Sequence, residues 1–255
     1  MKFRNRAILV TGASRGIGAA IAKAFAAEGG LVIVNYRHNE AAALGVVEAC
    51  KAAGGQALAI AADVTSEAAV GAMVARIADE IGRIDAVVNN AFAPYVFDPD
   101  NRTRFWDTPW SAYQTQIDGA LKATYNVCQA VLPLMKQRVQ GSIVNMASDL
   151  VARPSIPYHD YTTAKAALIG FSRTLAAELG PLGIRVNCVA PGLVYPTDSS
   201  RATREEVKDM LIAQTPLRRI ATVEDVTGPV LFLASDWSRF VTGQILHVDG
   251  GLVMT

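Results

Sequence analysis

The sequence predicts an α/β fold, a doubly wound parallel sheet of about seven strands with helices on both faces, formed by one domain over residues 1–255. Short apolar runs alternate with segments of helical periodicity along the chain, which is the pattern of repeated β–α units. The runs lack polar alternation, as expected for strands that are buried on both faces. With 255 residues, 51% of them apolar and 18% charged, the chain can fill one large core.

A glycine-rich turn joins the first strand to the first helix. The apolar run 8–10 predicts a buried strand, and helical spacing of apolar residues begins at Ile17. Gly12, Gly16 and Gly18 lie near this junction, and glycine allows the backbone to turn sharply and to approach a ligand. The free N–H groups at the start of the helix suit an anion such as a pyrophosphate. An ordinary strand-to-helix turn is the alternative interpretation.

The same alternation continues to the end of the chain. Further strands are predicted at residues 31–34, 57–60, 84–88, 141–146, 184–189 and 244–248. Further helices are predicted at residues 41–53, 66–81, 110–138, 161–179, 204–213 and 223–234. Thr65 or Ser66 can cap the second of these helices, and Gly180-Pro181 ends the fourth. The irregular stretch 91–108 is long for a compact domain, and such loops are more often functional than idle.

Composition argues against several classes of function. The formal net charge of +1 provides no basic footprint for nucleic acid, and no apolar run reaches membrane-spanning length. The N-terminus lacks the apolar segment of a secretory signal peptide. Cys50, Cys128 and Cys188 are widely spaced and odd in number, which is typical of reduced thiols. We therefore expect a cytoplasmic protein that binds neither nucleic acid nor membrane.

Tyr161 and Lys165 are the first candidates for chemistry. They stand four residues apart in a predicted helix and therefore share one face. A nearby ammonium lowers the pKa of a phenol from its usual value of about 10, which would let Tyr161 exchange a proton nearer neutral pH. Ser148, at the end of the fifth strand, could hold a carbonyl oxygen. On its own, the pair is more typical of two solvated side chains on a helix.

Further motifs accompany this pair along the chain. The full set is Thr11-Gly-x3-Gly16-x-Gly18, Asn89-Asn-Ala91, Ser148, Tyr161-x3-Lys165, Pro191-Gly192, Pro216-Leu-Arg-Arg-Ile-x3-Glu-Asp-Val226 and Thr242-Gly-Gln-x3-Val-Asp-Gly-Gly251. In order and spacing, this set resembles the short-chain dehydrogenase/reductases over essentially the whole chain. Within that family the chain most resembles the bacterial 3-oxoacyl-[acyl-carrier-protein] reductases. The resemblance implies a Rossmann-type fold and an oxidoreductase.

The resemblance also implies roles for individual residues. Tyr161 would protonate a carbonyl oxygen as hydride arrives, Ser148 would orient that carbonyl, and Lys165 would hold the nicotinamide ribose and tune Tyr161. The substrate would be a small-molecule or acyl-carrier-linked carbonyl compound. The implied cofactor-binding residues, besides Tyr161 and Lys165, are Gly12, Ser14, Arg15, Gly16, Ile17, Gly18, Tyr36, Arg37, Asp63, Val64, Asn89, Ala91, Pro191, Gly192 and Thr197. Thr197 comes one residue later than the threonine of the family pattern.

Charge indicates which dinucleotide is bound. A site that selects NAD places a carboxylate after the second strand, where it binds the ribose 2′-hydroxyl. Here that place reads Asn35-Tyr36-Arg37, with no acidic residue before Glu40, and Arg15 lies in the glycine turn. Because two guanidinium groups suit a 2′-phosphate, we predict NADP(H). The alternative is that Arg37 simply points to solvent.

The chain departs from the family pattern at two positions. Phe92 replaces the glycine that usually follows Asn-Asn-Ala, and Ala120 stands where the family has a catalytic asparagine that helps to hold a water molecule. A backbone carbonyl or Gln116 could hold that water instead. We therefore expect an active reductase with an altered proton relay. The insertion 95–106 could cover the substrate or form a subunit contact.

Two other functions stay open at this point. The same chemistry could act on a sugar, a polyol or another small ketone. Alternatively, the chain could be a cofactor-binding sensor that has lost catalysis, which only Phe92 and Ala120 favour. The family usually forms homotetramers or homodimers through the helices at 110–138 and 161–179 and the last strand, and the resemblance implies the same here.

Overall fold

A computed structural model describes residues 2–254, which form one seven-stranded sheet. Its strands are β1 (Ala7–Val10), β2 (Leu31–Tyr36), β3 (Gln56–Ala61), β4 (Ala86–Asn89), β5 (Gly141–Met146), β6 (Ile184–Pro191) and β7 (Ile245–Val248). The strands are ordered β3-β2-β1-β4-β5-β6-β7, and every neighbouring pair is parallel. This confirms the predicted fold class.

Helices connect the strands and cover both faces of the sheet. They are α1 (Gly16–Ala27), α2 (Glu40–Ala52), α3 (Glu67–Glu80), α4 (Trp110–Ile117), α5 (Ala123–Arg138), α6 (His159–Leu179), α7 (Glu205–Gln214) and α8 (Val223–Ala234). Of the two caps considered for α3, Ser66 is the one used, because its hydroxyl accepts a hydrogen bond from the Ala69 N–H. The single helix predicted over 110–138 contains a π-helical turn at Asp118–Lys122, between α4 and α5.

The two faces of the sheet carry separate apolar cores. Side chains alternate between faces along a strand, so Ile8 and Val10 of β1 pack against α1, α2 and α8, whereas Leu9 packs on the opposite side. Phe25 is completely buried in the first core, and Met135 is completely buried in the second, which α3, α5 and α6 cover. The three cysteines are buried and carry free thiols, as expected.

The strand order places a crevice at one end of the sheet. From β1 the chain runs outward to β2 and β3 on one side, and it then crosses back to β4 on the other side of β1. Ligands of doubly wound folds bind beyond the carboxyl ends of the strands at such a switch point. Within residues 2–254, no helix is long and apolar enough to cross a membrane.

Candidate active site

The glycine turn between β1 and α1 forms one end of the crevice. Gly12 and Gly16 have φ angles of +61° and +54°, in the left-handed region that favours glycine. A Cβ atom on Gly18 would lie 2.5 Å from Asn90 Nδ2 and 2.6 Å from the Gly12 carbonyl oxygen. No side chain caps the helix at Arg15, so its first N–H groups are open to an anion.

Replacing Gly18 with alanine is expected to weaken dinucleotide binding by about tenfold or more and to destabilise the protein by about 1–3 kcal/mol. The added methyl group overlaps a backbone carbonyl that cannot move without distorting the turn. Calorimetric titration and thermal unfolding measure the two effects. Gly45→Ala in α2 is the matched control, because open space surrounds it and alanine favours a helix by about 1 kcal/mol. If Gly18→Ala bound the dinucleotide as tightly as wild type, the conclusion that a side chain at position 18 disrupts the binding turn would be wrong.

Side chains that the sequence analysis named only within motifs, without giving them a role, hold this turn in place. The Thr11 hydroxyl accepts hydrogen bonds from the N–H groups of Asn90 and Ala91, both at 3.0 Å. Asn90 Nδ2 donates to the carbonyl of Thr11 at 2.9 Å, and Asn35 Oδ1 accepts from the Gly12 N–H at 3.3 Å. Their position at the ends of three neighbouring strands is the feature of the sequence that could have identified them.

The position of Asn89 corrects one prediction. Asn89, the last residue of β4, is buried, and its Nδ2 donates to Asn145 Oδ1 at 2.8 Å instead of lining the crevice. Asn90 lines the crevice in its place. Because side chains alternate between directions along a strand, adjacent asparagines at its end face different surroundings.

The crevice is a cleft of about 910 Å³ that runs across the carboxyl ends of the strands. All other predicted site residues line it, from the glycine turn and the ends of β2 and β3 to Ser148, Tyr161, Lys165, Pro191, Gly192 and Thr197. The fold therefore brings together residues that are as much as 185 positions apart in the chain, from Gly12 to Thr197.

Ser148, Tyr161 and Lys165 meet at one end of the cleft. Ser148 follows β5, and its oxygen accepts a hydrogen bond from the Leu150 N–H at 3.3 Å. Tyr161 and Lys165 lie on the inner face of α6 and are only 8% and 4% exposed. Lys165 Nζ donates to the Met146 carbonyl at 2.6 Å and lies 5.7 Å from the centre of the Tyr161 ring.

Burial controls the protonation of both α6 residues. It raises the pKa of Tyr161 above its ordinary value, and the Ser148 hydroxyl acts in the opposite direction. The expectation that the Lys165 ammonium lowers this pKa was therefore wrong. Burial also lowers the pKa of Lys165, to about 8. At neutral pH the phenol of Tyr161 is consequently protonated and can act as an acid.

The irregular segment 91–108 packs over this group. The rings of Tyr95 and Phe97 lie 5.2 Å and 5.0 Å, centre to centre, from the ring of Tyr161, and Tyr95 Oη donates to Asp160 Oδ1 at 2.9 Å. Phe92 contributes a further wall, with its ring centre 5.3 Å from Lys165 Nζ. The contacts of Tyr95 and Phe97 match a cover over the site, whereas Phe105 and Trp106 are exposed, so a subunit contact by that end of the insertion stays a prediction.

The π-helical turn accounts for the small residues near position 120. Gly119 and Ala120 are buried, and a Cβ on Gly119 would lie 2.4 Å from that of Ala93. A π-helical turn shifts backbone carbonyls out of the α-helical pattern, and such turns are frequent at functional sites. Gln116 is buried but does not line the cleft, so a backbone carbonyl is the better candidate to replace the family asparagine.

Two arginines stand at the opposite end of the cleft. Arg15 Nη1 lies 3.0 Å from Asp198 Oδ2, and Arg37 Nε lies 3.0 Å from Asp63 Oδ2. Both guanidinium groups are more than half exposed and line the cleft, so they retain donors that can reach a ligand. Arg37 faces both the cleft and the solvent, and its role toward a ligand stays a prediction.

Known proteins share this fold and its length. Residues 12–253 match the model of a family described as enoyl-(acyl carrier protein) reductase. The 3-oxoacyl-[acyl-carrier-protein] reductase FabG of Staphylococcus epidermidis is 39% identical over 98% of this chain and 100% of its own length. The solved structure of a 3-oxoacyl-[acyl-carrier protein] reductase from Brucella melitensis has a TM-score of 0.90 and 35% identity, covering 100% of this chain and 93% of that one.

A second solved structure bears on cofactor and substrate. It is a 7α-hydroxysteroid dehydrogenase complexed with NADH and 7-oxo glycochenodeoxycholic acid, with a TM-score of 0.89, 31% identity and coverage of 98% of this chain and 95% of that one. The chain therefore belongs to the short-chain dehydrogenase/reductase family. It is an oxidoreductase of the class that uses a nicotinamide cofactor.

Proposed function

We propose that this chain is an NADP-dependent reductase of 3-oxoacyl thioesters, including those linked to an acyl carrier, with Tyr161 as the proton donor. The observation that carries the proposal is the cleft itself. It joins the glycine turn at one end to Ser148, Tyr161 and Lys165 at the other. The names of the 3-oxoacyl-[acyl-carrier-protein] reductases that the chain resembles support the same substrate class.

The cleft fits a dinucleotide. Gly18 lies so close to the Gly12 carbonyl that position 18 has no room for a side chain. The uncapped start of α1 presents N–H groups where a diphosphate would lie. Pro191 and Gly192 would border the nicotinamide end, and Asp63 and Val64 the adenine end. When bound, the cofactor supplies hydride chemistry, and the protein supplies orientation and proton transfer.

The protein's own residues then divide the remaining tasks. Tyr161, held in its neutral form by burial, donates its phenolic proton to the substrate oxygen. Ser148 donates a second hydrogen bond that fixes that oxygen. Lys165, anchored on the Met146 carbonyl, retains two further N–H donors for a ribose hydroxyl. The rings of Tyr95 and Phe97 exclude water from the reacting group.

The two arginines support NADP(H) as the cofactor. Arg37 follows β2, where a carboxylate would bind the ribose 2′-hydroxyl of NAD, and Arg15 lies in the facing turn. Their donors at the rim suit the dianionic 2′-phosphate. Because charge-assisted hydrogen bonds contribute about 1.5–3 kcal/mol, losing one arginine should change selectivity strongly.

Replacing Arg37 with glutamine is expected to lower kcat/KM for NADPH by about 10–100-fold and to leave that for NADH within about twofold. Steady-state kinetics with both cofactors measure this selectivity. Arg138→Gln removes a partly exposed guanidinium that pairs with Asp85 outside the cleft, and it should change neither value. A wild-type preference for NADH would contradict the cofactor proposal.

The far wall of the cleft supports an acyl substrate. Its aliphatic residues are Ile156, Leu193, Val207, Leu211, Leu217 and Leu252. An apolar wall suits an acyl chain, whereas a sugar or polyol would need hydrogen-bond partners for several hydroxyl groups. A panel of 3-oxoacyl thioesters, small ketones and sugars tests this, with NADPH oxidation as the readout. Faster turnover of the sugars would overturn the substrate class.

We also propose that the chain forms a homotetramer or homodimer. Trp110 of α4 and Tyr125 of α5 are 68% and 47% exposed, which leaves large aromatic surface on these helices open to a second subunit.

A further inference from the structure

Two buried carboxyl groups, one of them next to Ser148, have no role in the chemistry described above. Asp149 directly follows Ser148, and Asp249 directly follows β7; they are 5% and 8% exposed and both line the cleft. Gly192 separates them, since a Cβ on Gly192 would lie 3.3 Å from Asp149 Oδ2 and 3.1 Å from Asp249 Cβ. The glycine therefore makes room for two acidic side chains at the catalytic end of the cleft.

The hydrogen bonds of the two groups differ. Asp249 accepts backbone N–H bonds on both oxygens, from Gly251 at 3.0 Å and from Val253 at 2.9 Å. Both oxygens of Asp249 are therefore engaged as hydrogen-bond acceptors. Asp149 Oδ1 has the Ser148 hydroxyl as a side-chain donor, at the long distance of 3.4 Å. Because two close carboxylates do not readily ionise together, a shared proton belongs on Asp149.

The surroundings of Asp149 act in the same direction. Burial and the charge of Asp249 raise the pKa of Asp149 to about 7, while Ser148, the Leu150 backbone and Arg153 lower it less strongly. Tyr161, which interacts with Asp149 from α6, stays neutral because its own pKa is raised. Asp149 therefore changes its charge in the neutral range.

This charge decides where the Ser148 hydrogen points. The serine oxygen already accepts the Leu150 N–H at 3.3 Å, and the hydroxyl has only one hydrogen to donate. An ionised Asp149 has no hydrogen and accepts the one from Ser148. A neutral Asp149 can itself donate to the serine oxygen, which frees the serine hydrogen for another acceptor in the cleft.

We propose that Asp149 is a positioning residue that frees the Ser148 hydroxyl to donate to the substrate oxygen when Asp149 is neutral and withdraws it when Asp149 is ionised. This inference rests on the carbonyl reduction proposed above. Reduction is therefore supported below about pH 7 and lost as the pH rises through that value. Lys165, whose pKa is lowered to about 8, affects only the more alkaline range.

The test is the pH profile of kcat/KM for NADPH-dependent reduction between pH 6.0 and 7.5. Wild type is expected to fall about fourfold, since a group of pKa about 7 goes from mostly neutral to mostly ionised. Asp149→Asn mimics the neutral form and should give a flat profile. Asp249→Asn should move the wild-type midpoint to lower pH, and Arg153→Gln should move it to higher pH. A purely structural role would not produce opposite shifts.

Two outcomes of the pH profiles overturn the proposal. One is an Asp149→Asn profile that falls like that of wild type, and the other is a midpoint that neither Asp249→Asn nor Arg153→Gln moves. Failure of the proposed function is distinguishable, because wild type would then reduce no carbonyl compound at any pH. In that case the infrared difference spectrum between wild type and Asp149→Asn tests whether Asp149 is neutral. Absence of a neutral carboxyl band at pH 6 overturns the assignment of a neutral Asp149.

Discussion

Tyr161→Phe is expected to lower kcat by about 10²–10⁴-fold, because the variant lacks the phenolic hydroxyl that is proposed to transfer its proton to the substrate oxygen. The ring itself remains, so its contacts with Tyr95 and Phe97 persist and stability should change by less than about 1 kcal/mol. Dinucleotide binding should be retained, since the glycine turn lies at the other end of the cleft. Steady-state kinetics and calorimetric titration measure the two properties separately.

Tyr158→Phe is the matched control for this variant. Tyr158 is also buried and packs against Tyr95 and Phe97, with centre-to-centre distances of 5.7 Å and 5.4 Å. Removing its hydroxyl should leave kcat within about threefold of wild type, because its ring keeps its contacts with Tyr95 and Phe97. If Tyr161→Phe turned over substrate as fast as wild type, the proton-donor role would be wrong. A wild type that binds NADPH without reducing any carbonyl compound would instead favour the sensor.

Most of the residues that line the cleft could be predicted from the sequence, because they come directly after the ends of strands. In a parallel sheet all carboxyl ends meet at one edge, so Gly12, Arg37, Asp63, Ser148 and Gly192 had to lie near one another once the strands were recognised. The apolar runs that mark these strands are buried on both faces and carry a strong sequence signal.

The sequence analysis misplaced residues where a shift of one position along a strand, or a contact between distant segments, determines the local structure. Asn89 and Asn90 differ by a single position, yet one packs inside against Asn145 and the other braces the glycine turn. The π-helical turn at Asp118–Lys122 follows from packing of Gly119 against Ala93, which helical periodicity does not reveal.

The pKa of Tyr161 was also mispredicted, because it depends on burial by a segment that is distant in sequence. Spacing alone placed Lys165 beside Tyr161 and predicted a lowered phenol pKa. Desolvation under the 91–108 segment dominates instead, and the segment's position over α6 could not be deduced from its composition. The sequence showed that this segment is aromatic and long, but the ring contacts with Tyr161 show what it does.

The same burial predicts that Lys165→Met is inactive but more stable than wild type at pH 7. Burial lowers the pKa of Lys165 from 10.5 to about 8, so the folded protein holds a charged ammonium at a cost of about 3 kcal/mol. Methionine fills similar space without charge, although the Met146 carbonyl loses a hydrogen bond worth about 1 kcal/mol. The expected net gain is about 1–2 kcal/mol, measured by denaturant unfolding.

The pH dependence of this difference identifies its cause. The cost of charging Lys165 is fully present below pH 8 and vanishes above 10.5, where the lysine is neutral in both folded and unfolded chains. The stability advantage of Lys165→Met should therefore shrink as the pH rises from 8 towards 10.5. Lys136→Met, at an exposed position on α5, should show no such dependence. A Lys165→Met variant less stable than wild type at pH 7 would show that the Met146 contact outweighs the desolvation, and that this lysine is held for structure as well as for catalysis.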